Sequence, residues 1–327
     1  APSNSRFREG VNLVRLLAAD GEVPGRFVSP VDGASLGRRQ FNRPAWSRRG
    51  EFVYRFDGGL WLAPLDPDGT FGPARMIAAV GENPAWTGDG ERLVYLEGGR
   101  LTVFDRSTGR TQRLGLEPDW QQDLPDRSLT LRADAVFDGE RRWPQGDYGV
   151  RIEDGRIAAV GPFDAAAAEG EVIDVRGRFL MPGLIESHTH QSISQGKALG
   201  RRFLCHGITT VRETGDDPYH AVERREAQAS GRRHGPRVFT AGPLNEGARV
   251  SYGVSDTIGT LGAVAVSAQL SEAMGLDLYK SYVRQDYRMQ RRAIELAHLQ
   301  GIPVTSHELY PAVANGIDYM EHLGATS

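Results

Sequence analysis

Cysteine is nearly absent from the sequence, because Cys205 is the single one among 327 residues. One thiol excludes an intrachain disulfide framework and any zinc module built from several cysteines. Cys205 has no predicted base beside it, so it is interpreted as a packing residue rather than a nucleophile. The segment that starts at Ala1 shows no recognisable targeting pattern, and the compartment is therefore unknown.

The chain also lacks an excess of charge of one sign, with 39 Lys and Arg against 42 Asp and Glu and a net charge of −3. This balance offers no electrostatic footprint for nucleic acid or anionic lipid. No apolar run approaches the roughly 18 residues that span a bilayer. Both kinds of partner are therefore excluded as the main ones. A solvated helix face is predicted for the basic cluster of Arg224, Arg225, Arg232 and Arg233.

Glycine and proline, by contrast, are abundant at 40 and 18 residues, which is typical of a chain with many turns. The first third contains a repeat, in which Pro44-Ala45-Trp46-Ser47 recurs as Pro84-Ala85-Trp86-Thr87. Each copy continues as a strand, a hairpin at Gly58-Gly59 or Gly98-Gly99, and a second strand. A period near 40 residues with short β segments is typical of the blades of a propeller.

These repeats resemble the TolB-like or PD40 type of propeller repeat, in a degraded form. A closed propeller needs at least about four blades, and the sequence shows two repeats with a partial third in residues 11–40. The resemblance implies an incomplete β-propeller over residues 1–125. We expect the missing blades to come from a longer precursor or from another polypeptide.

The rest of the chain changes character twice. Alternating apolar residues broken by Asp154-Gly155 predict antiparallel strands of a small β module in residues 126–180. Beyond it, short apolar runs alternate with helix-length polar stretches, which favours a parallel sheet of βα units. Six strands fit an open sheet or an unfinished (β/α)8 barrel. They are predicted at 178–187, 207–213, 236–242, 276–283, 302–306 and 317–321.

Four histidines and one lysine are predicted at the ends of these strands. Alternate residues of a strand point the same way, so His188 and His190 can reach one metal. Lys280 lies in a largely apolar strand, where burial lowers the pKa of an amine and frees it for covalent chemistry. His307 and His322 end the next two strands. Active sites of barrels lie at the carboxyl ends of the strands, so these five residues are candidates for one site.

The motifs around these residues resemble the amidohydrolase superfamily, and within it the branch of imidazolonepropionases and metal-dependent dipeptidases. The resemblance implies that residues 126–180 are the first part of a composite β-sandwich. It implies that residues 181–327 are a metal-dependent hydrolase TIM barrel, truncated after about the sixth strand. The segments that carry it are 181–190, 207–212, 235–239, 279–284, 302–308 and 318–322.

The resemblance also implies a binuclear metal site. His188 and His190 would bind one ion, carboxylated Lys280 would bridge two, and His307 and His322 would hold the second. Lys280 and His322 are the candidate catalytic residues. A hydroxide bridging the two metals would cleave a C–N bond in an amide, lactam or short peptide. Zinc is expected because imidazole nitrogen with one carboxylate-like oxygen suits it, while manganese, iron and cobalt stay open.

Residues beyond the metal set are predicted to recognise substrate. Tyr282 and Arg284 could hold a substrate carboxylate by a charge-assisted fork. Arg249 and Tyr252 are weaker candidates of the same kind. The family's general base is an aspartate on an eighth strand, whereas the printed sequence stops at Ser327. We therefore expect a companion C-terminal polypeptide to complete the barrel, and a homo-oligomer is an open alternative.

Two other functions fit the same motifs. The barrel could be a relic without its aspartate, in which case the propeller would recognise a peptide in a non-catalytic binding protein. The scaffold could also serve a biosynthetic isomerase, decarboxylase or cyclising enzyme. Metal content without hydrolysis in the assembled protein would favour the binding protein.

Overall fold

The computed structural model describes residues 14–16, 26–31, 36, 43–117, 127–191, 195–247 and 252–322. At its start, β1 (Val14–Leu16) pairs antiparallel with β2 (Arg26–Val28). Most of the segment 11–40, in which a partial third repeat is predicted, lies outside the described residues.

The two sequence repeats form two four-stranded antiparallel sheets, each with its strands in sequential order. Positive φ angles at Gly98 and Gly99 form the second hairpin turn, as predicted. In the first hairpin the turn residues are Asp57 and Gly58, and Gly59 begins the next strand. The first sheet contains β3 (Ala45–Trp46), β4 (Glu51–Phe56), β5 (Gly59–Pro64) and β6 (Arg75–Ala78). The second contains β7 (Glu82–Trp86), β8 (Arg92–Glu97), β9 (Arg100–Asp105) and β10 (Thr111–Arg113).

One apolar core joins the two repeat sheets. Leu60 and Leu93 are fully buried in it, and Tyr95 and Phe104 are almost so. Ion pairs cross between the repeats at its edge, for example from Arg106 Nε to a Glu51 carboxylate oxygen at 2.6 Å. Each sheet therefore covers one face of the other, as neighbouring blades of a propeller do. That these two sheets belong to a propeller stays a prediction.

A small β module follows the repeats. Its sheet has the order β14-β13-β11-β15, with a hairpin turn at Asp154 and Gly155 as the sequence predicts. A separate parallel pair joins β12 (Ala135–Val136) and β16 (Phe179–Leu180). The sheet contains β11 (Leu129–Ala133), β13 (Tyr148–Glu153), β14 (Arg156–Pro162) and β15 (Glu171–Asp174).

The remaining strands are parallel and alternate with helices, as predicted. One sheet contains β17 (Leu184–Thr189), β18 (Ile208–Glu213) and β19 (Arg237–Thr240). The other contains β20 (Leu244–Glu246), β21 (Ser255–Thr257), β22 (Tyr279–Ser281), β23 (Val304–Ser306) and β24 (Tyr319–Met320), in the order β21-β20-β22-β23-β24. The backbone N–H of Asp277 donates to Thr240 O at 2.9 Å and links the two sheets.

Strands β20 and β21 were not predicted from the sequence. Each has three residues and carries buried polar side chains rather than an apolar run. Strands this short show no alternation of apolar and polar residues, so periodicity gives no signal for them. β20 continues the course of β19 and pairs with β22, which places it beside Lys280.

Helices cover the outer face of these sheets. Asp217, Thr260 and Asp286 cap three of them by accepting backbone N–H groups of the first turn. The main barrel core lies where α3 and α4 meet β22 and β23. The helices are α1 (Ala198–Cys205), α2 (Pro218–Ala229), α3 (Leu261–Ala273), α4 (Tyr287–Leu299) and α5 (Ala312–Asn315). Within the described ranges, no helix has the length and apolar character that crossing a membrane requires.

The shared core of the repeats makes a direct prediction. Leu60→Ala should lower the free energy of unfolding by about 2–5 kcal/mol, because a fully buried side chain is removed from between two sheets. Chemical denaturation followed by circular dichroism measures this change. Leu116→Ala is the matched control, since Leu116 is 67% exposed, and it should change stability little. Equal effects of the two variants would contradict a shared core.

Candidate metal centre

The structure brings the four predicted histidines together at the carboxyl ends of the strands. His188 lies in β17 and His190 directly after it, while His307 and His322 follow β23 and β24. Ring centroids are 5.1 Å apart for His188 and His190, 5.1 Å for His188 and His322, and 4.3 Å for His307 and His322. Parallel strands deliver their carboxyl ends to one edge, so residues 134 positions apart become neighbours.

Lys280 lies beneath these rings in β22. Its side chain is fully buried, and its Nζ has no hydrogen-bond partner among the described residues. Burial lowers the pKa of Lys280 to about 7, against the opposing attraction of Glu321. A large fraction of this amine is therefore neutral and nucleophilic at physiological pH.

Glu321 is the carboxylate at the centre of the site and is almost fully buried. Its Oε2 accepts a hydrogen bond from His188 Nδ1 at 2.6 Å, and Arg212 donates to both of its oxygens at 2.9 and 3.0 Å. Thr305 Oγ1 donates to Oε1, and Lys280 Nζ lies 3.9 Å from that atom. Burial alone would raise the pKa of Glu321. The hydrogen bond from His188, the Lys280 charge, Thr305 and Arg212 together lower it to about 2.

Hydrogen bonds fix the tautomers of the first two histidines. A carboxylate and a backbone carbonyl can only accept, so the Nδ1 atoms of His188 and His190 carry their protons. His188 donates to Glu321, and His190 donates to Gly215 O at 3.1 Å. The Glu213 carboxylate lies 3.8 Å from His190 Nδ1 and raises the pKa of His190. Both Nε2 atoms are therefore unprotonated, as metal ligation requires. Thr214 Oγ1 lies 3.4 Å from His188 Nε2 and donates a long hydrogen bond to it.

The other two histidines are held in the neutral state. Burial, followed by the charge of Lys280, lowers the pKa of His307 to about 3. His322 is exposed, and partial desolvation, with help from His188 and Lys280, also lowers its pKa. His307 Nδ1 is a buried atom that has no hydrogen-bond partner in the part of the chain that the structure describes. A neutral, partly orphaned imidazole beside a buried amine is a donor set that suits a divalent cation.

In their present rotamers, no three His, Cys, Asp or Glu side chains of the described residues form a ready metal-binding group. The chemistry of the donors nevertheless suits a metal, because the Nε2 atoms of His188 and His190 are unprotonated and the rings of His307 and His322 are neutral. The Lys280 amine also has no hydrogen-bond partner among the described residues. Ligation would require the rings, now in mutual contact, to turn. Zinc and a bridging carbamate stay predictions.

The two predicted substrate residues flank the histidines. Tyr282 is almost fully buried, and its ring centroid lies 4.7 Å from that of His307 and 5.9 Å from that of Tyr252. Burial, followed by Tyr252, raises the pKa of Tyr282, so its hydroxyl stays protonated. Arg284 pairs with buried Glu246 at 2.5 Å, and 34% of its side chain is exposed. Arg249 lies outside the described residues.

Two minor predictions are wrong. Arg224, expected on a solvated helix face, is buried and donates to Asp216 at 3.0 Å and to Gln191 O at 2.9 Å. Burial, followed by the charge of Glu213, raises the pKa of Asp216 to about 7, and the Arg224 guanidinium opposes this shift. Cys205, expected to pack, is exposed.

Glu321, Arg212 and Glu213 are the residues that sequence reasoning missed. Glu321 and Arg212 stand inside motifs that carry the family resemblance, but no role was assigned to them. An acidic residue directly before a predicted ligand is a usable signal, since ligating histidines commonly donate their second nitrogen to a carboxylate. Here Glu321 precedes His322 and yet orients His188, so only the fold identifies its partner.

Comparisons with known proteins bear on this site. No family model matches the chain. The imidazolonepropionase of Saccharopolyspora erythraea is 31% identical over 134 residues, which cover 38% of this chain and 33% of that protein. The adenine deaminase of Ruegeria sp. (strain TM1040) is 41% identical over 69 residues, which cover 20% of this chain and 11% of that protein. The solved structure of bottromycin amidohydrolase matches with a TM-score of 0.50 at 22% identity, covering 62% of this chain and 44% of that one.

The chain thus spans about a third or less of the length of these two curated relatives. The structural match, at this identity, shows the fold alone. The names deaminase and amidohydrolase describe enzymes that break C–N bonds. The comparisons support the amidohydrolase superfamily, and the related proteins are hydrolases acting on C–N bonds. The TolB-like repeats stay a prediction.

Glu321→Gln tests the central carboxylate. We expect a loss of about 3 kcal/mol in the free energy of unfolding at pH 7, because a buried amide cannot balance Arg212 and Lys280. The pKa of Glu321 is lowered from 4.5 to about 2. Its stabilisation is therefore complete above about pH 4.5 and is lost as the pH falls towards 2. Urea denaturation between pH 3 and 7 should show the two proteins converging in acid.

The control for this experiment is Glu295→Gln on the exposed face of α4, where Glu295 pairs with Arg291 and Arg292. Exposed pairs contribute at most about 1 kcal/mol, so the control should match the parent at every pH. A constant difference between Glu321→Gln and the parent from pH 7 to 3 would contradict the ionised state of Glu321.

Proposed function

We propose that this protein is part of a metal-dependent amidohydrolase that cleaves a C–N bond in a small amide, lactam or short peptide. The observation that carries the proposal is the fully buried amine of Lys280, which has no hydrogen-bond partner among the described residues, close to four clustered imidazoles. Leaving such an amine without a partner is costly. Carboxylation of Lys280 would remove that cost, because the negative charge of the carbamate and the positive charge of bound divalent cations would balance each other.

The chain's own residues would prepare the site. The neutral amine of Lys280 can add to CO2, forming an N–C bond and releasing one proton, which turns a buried base into an anion. Glu321 and Gly215 hold His188 and His190 with Nε2 available. Two divalent cations, with zinc as our choice, would be held by His188, His190, carboxylated Lys280, His307 and His322. Bound there, they would supply an acidified water and an electrophile for a carbonyl.

Substrate recognition is proposed for the flank formed by Tyr282 and Arg284. The protonated phenol of Tyr282 is a donor next to His307, and Arg284 is a partly exposed cation. Both groups suit a carboxylate, so a dipeptide or an N-acyl amino acid is the preferred substrate class. The backbone of Arg284 has a φ of 63° and its N–H donates to Glu308 at 3.3 Å. Arg284 is thus held at its backbone by Glu308 and at its guanidinium by Glu246.

A companion polypeptide also belongs to this proposal. Ile185, Phe239 and Tyr319 line an open cavity of about 590 Å3 between strands and are 70%, 40% and 51% exposed. Exposed apolar surface of this kind marks a contact with further protein. The general base is assigned to no residue of this chain, because the resemblance places it on a later strand.

Lys280→Met tests the metal centre. The parent, supplied with bicarbonate and divalent metal, should carry one CO2 on the peptide that contains Lys280 and two metal ions by native mass spectrometry. The variant should lose the added mass, and its metal affinity should fall by at least about 100-fold. Metal bound by the parent without hydrolysis of any amide in the assembled protein would favour the binding-protein alternative.

The sequence supplies a matched control, because Lys197 is its only other lysine and is exposed. Lys197→Met should leave the bound CO2 and both metals unchanged. With 13C-labelled bicarbonate, a single carbamate resonance that disappears in Lys280→Met and survives in Lys197→Met identifies the residue. A carbamate that survives in Lys280→Met would contradict the assignment.

Arg284→Ala tests the carboxylate flank. For dipeptides or N-acyl amino acids we expect KM to rise by roughly 10- to 100-fold with the metal content unchanged, because a charge-assisted contact is lost. Arg288→Ala, in the exposed first turn of α4, is the control and should keep the parent KM. Steady-state kinetics with a dipeptide and its C-terminal amide completes the test. Unchanged kinetics in Arg284→Ala would remove Arg284 from substrate binding.

A further inference from the structure

A buried ion pair joins the repeat sheets to the barrel. Arg55, in β4, donates from both terminal nitrogens to the two carboxylate oxygens of Asp256, in β21, with the second bond at 2.9 Å. The two side chains are 5% and 1% exposed, and the residues are 201 positions apart in the sequence. Arg55 Nε lies 3.9 Å from buried Glu82 in the second repeat. One guanidinium therefore connects both repeats to one barrel strand.

The surroundings of this pair are closely packed. Asp57 accepts a hydrogen bond from Thr260, the residue that caps α3. A Cβ atom added at Gly58 would lie 2.6 Å from Val266 on the same helix. The hairpin turn of the first repeat thus lies directly on α3, and the neighbouring ion pair is shielded from water. In such a medium the geometry of a bidentate pair is strongly defined.

From Asp256 the contacts lead to the metal centre in two steps. β21 pairs with β20, where Asn245 lies opposite Asp256, and Ile258 N donates to Glu246 O at 2.8 Å. Asn245 in turn holds β22, because its Nδ2 donates to Lys280 O at 3.2 Å and its O accepts from Tyr282 N at 2.8 Å.

The same strand pair also carries both partners of the proposed substrate groups. Glu246, in β20, forms the ion pair with Arg284. Tyr252 lies against Tyr282, and its carbonyl accepts a hydrogen bond from Ser255 at the start of β21 at 3.1 Å. A shift of β21 would therefore move Tyr252 and Glu246, and with them the position of Arg284.

We propose that Arg55 is a positioning residue of the active site: its fork on Asp256 fixes β21 and β20, and through them the substrate groups Tyr282 and Arg284. The repeat sheets thereby serve as a structural support of the hydrolase site. This inference rests on the proposed function, because that function gives Tyr282 and Arg284 their role in substrate binding. The contact between Arg55 and Asp256 is independent of the proposed function.

The geometry of the pair, and not only its charge, carries the proposal. Apolar packing such as Gly58 on Val266 tolerates small displacements, whereas two parallel hydrogen bonds define distance and direction. A lysine at position 55 keeps the charge near Asp256 and Glu82 but is a point charge without the fork. Arg55→Lys therefore separates positioning from charge balance.

The experiment is amide hydrogen exchange on the full chain in Arg55→Lys and Arg55→Met. We expect the amides of Ile258 and Tyr282 to exchange at least tenfold faster in both variants, with the amides of α4 unchanged. Arg55→Lys should keep the melting temperature within a few degrees, so it answers the question if Arg55→Met fails to fold. Unchanged exchange at Ile258 and Tyr282 in Arg55→Lys, or equal acceleration across α4, would overturn the proposal.

Arg106→Lys is the matched control, because Arg106 pairs with Glu51 between the repeats and this pair does not involve the barrel. It should leave the exchange of both amides unchanged. With a dipeptide substrate, Arg55→Lys should raise KM about tenfold with kcat within twofold and the metal content intact. A parent-like KM would overturn the proposal. If no amide is hydrolysed by the parent, the proposed function fails, while hydrogen exchange still decides the role of the Arg55 contact.

Discussion

The burial of a lysine amine that has no hydrogen-bond partner among the described residues is the constraint on which the rest of the site depends. Lys280 is fully enclosed by the strands that flank β22, and its nearest counter-charge, Glu321, lies 3.9 Å away. Burial favours the neutral amine, while Glu321 stays ionised because His188, Thr305 and Arg212 donate to it. One buried anion thus stabilises an arginine, orients a histidine and limits the loss of charge on the lysine.

The architecture explains why these groups meet. The ligand candidates lie in or directly after the four parallel strands β17, β22, β23 and β24, and parallel strands present their carboxyl ends at one edge. The helices on the outer face are capped by Asp217, Thr260 and Asp286, which fixes where each βα unit turns back. β20 and β21 extend the sheet on the side of β22. They connect the site to the repeat sheets through Asp256, which binds Arg55. Residues that are distant in the sequence therefore contact the strands that form the site.

The similarities to known proteins agree with this chemistry at a coarse level. Relatives that break C–N bonds share segments of this chain, and the barrel fold of a solved amidohydrolase matches its larger part. Because the matched segments are short, substrate and metal are inferred from the residues of the site and not from the relatives. Tyr282, Arg284 and their partners Tyr252 and Glu246 are the groups of this chain that distinguish one substrate class from another in our proposal.

The sequence by itself determined the repeat hairpins, the βα alternation and the identity of the clustered histidines and the lysine. These are local signals: glycines at tight turns, alternating apolar residues, and polar residues where an apolar strand ends. Only the tertiary structure decided that Glu321 orients His188 rather than its neighbour His322, that Arg224 is buried, and that Arg55 binds Asp256. Those contacts join residues 133, 8 and 201 positions apart. They depend on which faces the packed elements present to one another, and no local pattern encodes that.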